Sequence, residues 1–88
     1  MNAVDWCEMD RALGQKARRV LQASAVEAFG RDGVYVTRSA VMQRTNTSDP
    51  EEFRTIAAYL EEQGLIDEAA ADYGVFVLTL EGIDLAEH

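Results

Sequence analysis

The 88-residue chain is short of several things, and each shortage excludes something. Cys7 is the sole cysteine, so no internal disulfide can staple the fold; this fits a reducing compartment, and the chain is expected to be cytoplasmic. No run of about 18 apolar residues occurs, so no transmembrane helix is expected. The opening "MNAVDWCEMD" is acidic and has no apolar core of the kind a secretion signal needs. The one histidine, His88, is terminal, and no glycine-rich phosphate loop is present, so catalytic dyads and histidine-rich metal sites are not expected. The chain is read as a non-enzyme with no cofactor and no metal. Internal repeats and low-complexity tracts are absent as well.

Positive charge is scarce and unevenly placed. Lysine occurs once, at Lys16, beside seven arginines, and the formal net charge is −8. Residues 1–54 hold all eight bases and eight acids, whereas residues 55–88 hold eight acids and no base. A nucleic-acid binder normally carries a basic patch. Any such patch here must be assembled from Arg11, Lys16, Arg18, Arg19, Arg31, Arg38, Arg44 and Arg54. The hydrophobic content of 48% is that of a folded domain, with room for one modest core.

Periodicity divides this single domain. After a tail (1–8), a long helix is expected over 9–29, with Leu13, Ala17, Val20, Leu21, Ser24 and Ala28 along its inner face. Val26 and Phe29 fall off that stripe and either pack under the next loop or form a second contact surface. Gly30 is placed to stop the helix. Val34–Val36 reads as a short strand, and Thr37 as the cap of a short helix over Arg38–Arg44 that turns Ala40 and Val41 inward. The polar turn "TNTSD" follows. A helix over Pro50–Gln63 starts from Asp49 as cap with Glu52 completing a capping box, or from Ser48 with Glu51. Phe53, Ile56, Ala57 and Leu60 form its buried stripe, and Gly64 ends it. Two strands around Asp72-Tyr73-Gly74 come next, the second placing Phe76, Leu78 and Leu80 on one face. Thr79 then caps a short closing helix with Ile83 and Leu85, which Gly82 weakens.

The stretch "YLEEQGLIDE", followed one hairpin later by "VFVLTLEGIDLAE", resembles the wing region of MarR-type and related small bacterial and archaeal regulators. In those domains a leucine-bearing helix end and a Gly-Leu-Ile step lead into the wing, and a Leu-Thr-x-x-Gly segment follows it. The resemblance covers roughly residues 9 to 86. It implies an α+β winged helix-turn-helix: the helix-turn-helix over 38–63, the wing hairpin over 65–80 and a C-terminal segment over 81–88. The chain departs from a full MarR protein, which is longer and builds its dimer from added helices. The expected wing tip, "AAADYG" (69–74), also carries an acid where several such domains keep a base.

The resemblance implies a small DNA-binding transcriptional regulator that docks the Pro50–Gln63 helix in the major groove of double-stranded DNA. Thr55 and Arg54 would lie near bases, Arg38 and Arg44 on phosphates, and Thr47 at the intervening turn. A homodimer formed through Trp6, Val26, Phe29, Ile83 and Leu85 is also expected. Stepping about 100° per residue from Phe53 puts Glu51, Thr55, Ala58 and Glu62 on the exposed face, flanked by Arg54 and Tyr59. Base-reading faces normally offer arginine, lysine or amides. Carboxylates at a helix start satisfy its free N–H groups but compete there with phosphate. An acidic module of the same fold that binds protein and no DNA is therefore the second expectation.

Overall fold

The computed structural model describes residues 11–68 and 74–87. Four helices and three short strands follow one another as α1 (Arg11–Glu27), β1 (Val36–Thr37), α2 (Arg38–Arg44), α3 (Pro50–Glu62), β2 (Ile66–Asp67), β3 (Val75–Leu78) and α4 (Leu80–Ala86). The strands form one antiparallel sheet in the order β1-β3-β2, with Val36 opposite Phe76 and Ile66 opposite Leu78. The fold is thus α+β, compatible with a winged-helix arrangement. Trp6, Cys7, the first two residues of the expected long helix, most of the expected wing tip and His88 lie outside the described residues.

The core is made by the faces that periodicity marks. Ala17, Val20, Leu21 and Ala28 of α1 and its exit meet Val41 of α2, Phe53, Ile56, Ala57 and Leu60 of α3, and Val36, Phe76 and Leu78 of the sheet. Ser24 sits in this apolar layer because its hydroxyl donates to the Val20 carbonyl at 2.6 Å, which leaves no unmet polar group. Phe53 and Phe76 meet with ring centroids 6.4 Å apart, tying α3 to the central strand.

Three helices end in the same way. The amide after a left-handed residue reaches back five positions: Gly30 to Ala25, Thr47 to Met42, and Leu65 to Leu60. The left-handed residues themselves are Phe29 (φ 57°), Asn46 (φ 56°) and Gly64 (φ 76°). Gly64 is the natural occupant of such a site and Asn46 a tolerated one, but a phenylalanine there costs about 1–2 kcal/mol. Helix α1 accordingly stops two residues before the expected Phe29, and Gly30 sits just past the left-handed phenylalanine. The strand expected at Val34–Val36 moves to Val36–Thr37, because Gly33 rather than Val34 donates to the Leu78 carbonyl.

Helix α3 starts at Pro50 with the Asp49 carboxylate accepting from the Glu51 amide at 3.0 Å. Glu52 does not close a capping box: its carboxylate is taken by Lys16 of α1 at 2.8 Å. Leu80 leaves the face expected for it and becomes the first, exposed residue of α4, because Thr79 diverts the chain. The Thr79 amide donates to the Leu65 carbonyl, its hydroxyl donates to the Gly64 carbonyl at 2.7 Å, and the same oxygen accepts from the Gly82 amide at 3.1 Å. Gly82 packs against this joint so closely that a Cβ there would stand 2.0 Å from the Leu65 carbonyl oxygen. The residue expected to weaken α4 is the one that lets α4 dock.

Candidate interaction face on helices α2 and α3

The residues expected to meet DNA occupy three different situations. Arg38, at the start of α2, is largely covered: its side chain is 27% exposed, it meets Glu68 at 3.0 Å, and its guanidinium lies 5.8 Å from the centroid of the Phe53 ring. Its Nε is buried without a partner. Arg44, at the other end of α2 and about 9 Å away along the axis, pairs with Glu27 at the end of α1. Arg54 is exposed on α3 and faces Glu51, one turn earlier, at 3.5 Å.

Thr55 is exposed beside them, its hydroxyl donating to the Glu51 carbonyl at 3.1 Å. Thr47 is not available to a groove: it is 7% exposed, and its hydroxyl shares a 2.8 Å hydrogen bond with that of Thr45, which also donates to the Val41 carbonyl. It holds the turn between α2 and α3 together.

The exposed face of α3 presents Glu51, Arg54, Thr55, Ala58, Glu61 and Glu62, close to the set that helical stepping gives. From Arg38 to Glu68 the chain carries three arginines and seven carboxylates. All three arginines have a carboxylate of this chain within ion-pair distance. The Arg54 pair, exposed on both sides, contributes little stability, but it still sets an acid beside the face's one cation. The Arg38 pair is of another kind. Glu68 is half-buried, and burial pushes its carboxyl above the usual 4.5; Arg38 opposes the rise and Glu61 adds to it. The Glu61 carboxylate accepts from the Glu68 amide at 2.9 Å, so α3, β2 and α2 are linked through this cluster.

Sequence reasoning missed Glu68, Glu27 and Glu52 as partners, since these pairs span 30, 17 and 36 residues and no local spacing signals them. The expected dimer residues also separate. Val26 and Phe29 are exposed, Phe29 at 84%, and do not pack under the following loop. Ile83 is 6% exposed and Leu85 packs partly against the core, so both help to dock α4 on the core. Among the described residues no helix is long and apolar enough to cross a membrane, and no group of three histidines, cysteines or carboxylates is arranged to hold a metal ion.

Compared with family models, with curated proteins and with solved structures, the chain finds no match.

Proposed function

We infer that the chain is a non-enzymatic interaction module on a winged-helix scaffold and that its partner is a protein. The order helix, strand, helix, helix and hairpin, with the first strand beside the third, supports the winged helix-turn-helix reading, in which α2 and α3 are the helix-turn-helix pair. One observation carries the choice of partner: Arg38, Arg44 and Arg54 each face a carboxylate of the same chain. Duplex affinity comes mainly from cations that displace counterions at phosphates. An arginine already facing a carboxylate must leave it first, and Glu51, Glu61 and Glu62 then repel the approaching backbone.

A second reading, the DNA-binding regulator, is favoured by one feature. A shallow cleft of about 440 Å³ lies along α2 and the following turn. Ser39, Gln43, Asn46 and Ser48 line it and are of the neutral donor type that positions phosphate oxygens. Fluorescence anisotropy of a labelled mixed-sequence duplex, titrated across a salt series, separates the two. The protein-partner reading expects no saturable binding at low salt for the native chain, and its appearance in E51Q/E61Q/E62Q, which removes the repulsion. Native binding in the roughly 1–100 micromolar range that weakens as salt rises would establish the regulator reading instead.

A further inference from the structure

Helix α4 carries a second cleft, of about 450 Å³, lined by Leu80, Glu81, Ile83, Asp84 and Glu87. Its floor is apolar: Ile83 reaches down into the core, and Leu80, 70% exposed, stands at the rim. Positions 80, 84 and 87 share one helical stripe and position 81 flanks it, so the carboxylates of Glu81, Asp84 and Glu87 border the leucine. A single exposed leucine is ordinary. A leucine at the mouth of a cleft bordered by three carboxylates, in a third of the chain with no base, is a more specific arrangement.

The electrostatics of the neighbouring helix ends point the same way. The C-terminal end of a helix carries negative partial charge and favours cations. Helices α1, α3 and α4 have no basic residue in their last turns. Carboxylates stand there instead. A methyl group placed at Gly30, just past the end of α1, would lie 3.9 Å from Oε1 of Glu87; one placed at Gly64, just past the end of α3, would lie 3.9 Å from Oε2 of Glu81. Glu81 and Glu87, two of the three carboxylates at the cleft, therefore sit beside the C-terminal ends of α3 and α1. Glu81 also stands in the first turn of α4, where its charge suits that helix's start, whereas Glu87 meets only C-terminal helix ends, so a cation brought from outside meets Glu87 and a helix end together.

We propose that the α4 cleft is the docking site for a basic amphipathic segment of a partner protein, one that lays an apolar side chain on Leu80 and Ile83 and sets arginine or lysine against Glu81 and Glu87. This rests on the protein-partner reading and names the surface and the partner's chemistry. Leu80 supplies the apolar contact, and the carboxylates supply orientation and salt dependence.

The probe is a labelled synthetic helical peptide with one leucine stripe between two rows of arginine, titrated into the full chain by fluorescence anisotropy at several salt concentrations. Leu80→Ser, at an exposed position, is expected to weaken binding about tenfold, the loss that corresponds to uncovering one leucine. E81Q/E87Q is expected to weaken it further at low salt and to flatten the salt dependence. Val26→Ser, at an exposed apolar position on α1, is expected to leave the affinity unchanged. Amide shifts on peptide addition are expected to centre on residues 80–87. Equal binding of a peptide with glutamate in place of arginine, equal affinity of Leu80→Ser, shifts centred elsewhere, or a Leu80-dependent self-association that occupies the cleft with a second copy would each overturn the proposal. The duplex titration is read separately: loss of the α4 site with no duplex binding leaves the protein-partner reading standing, and duplex binding removes that reading.

Discussion

The two sides of this small domain handle charge in opposite ways. On the α2–α3 side every arginine has a carboxylate of its own chain beside it, over separations of 30 and 17 residues and of one helical turn. On the α4 side carboxylates gather at the ends of α1 and α3, and residues 55–88 contain no cation. The net charge of −8 describes neither side. What the difference teaches is that an arginine counts toward phosphate affinity only if no carboxylate already holds it, and that an acidic patch points to a partner when it also lies at the cost of helix-end electrostatics.

The largest expected effect comes from breaking the closed side at its foundation. Phe53→Ala removes the ring beneath Arg38 and a fully buried contact with Phe76, and should cost about 3–5 kcal/mol in denaturant unfolding. Gly82→Ala breaks the other side. An alanine usually improves a helix interior by about 1 kcal/mol. Here its Cβ would meet the Leu65 carbonyl at 2.0 Å, and the backbone shift should win, with a net loss of about 2–3 kcal/mol. A gain in stability would mean that α4 is not docked as described.

Smaller changes sharpen the contrast. Phe29→Gly should raise stability by about 1 kcal/mol, since it relieves a left-handed phenylalanine that is almost wholly exposed. A loss would show that the ring makes contacts beyond the monomer, and comparing the masses of native and variant protein in solution across concentration would then test the expected dimer. Glu87→Lys should stabilise the isolated chain by about 0.3–1 kcal/mol by placing a cation near the end of α1, while abolishing capture of the basic peptide.

The smallest effect is pH-dependent. Because burial raises the Glu68 carboxyl above 4.5, the folded chain holds that proton more tightly than the unfolded chain does. The stability this group contributes is complete below 4.5 and is lost as pH rises through its raised value. Glu68→Gln does not titrate, so the stability of the native chain relative to this variant should fall over that interval, as thermal melts across pH would record.

Much of the fold was legible because it is written locally. The bounds of α2 fit Thr37 and the polar turn, α3 starts at the proline and ends at Glu62, one residue short of the expected Gln63 and just before the glycine that marks its stop, and Thr79 caps α4. The end of α1 was not legible, because the residue at its left-handed position is a phenylalanine and no propensity signals that. Leu80 looked like a strand residue because alternation continues through it, while three hydrogen bonds at Thr79 turn the chain away. The segment that carried the resemblance, "QGLI" with "LTLEG", is the joint in which Thr79 ties Gly64 and Leu65 to Gly82. It specifies how α3, the sheet and α4 lock together, and it carries no information about what α3 touches. For the candidate face, stepping around α3 placed the exposed side chains correctly, but the acids that hold Arg38 and Arg44 come from distant segments and appear only in three dimensions.

The most direct test of the closed α2–α3 side is amide chemical-shift mapping of the full chain at low salt as a mixed-sequence duplex is added. The account predicts no progressive shifts in residues 38–55, with the ion pairs intact. Saturating shifts at Arg38, Arg44, Arg54 and Thr55 would contradict it and return the domain to the DNA binders.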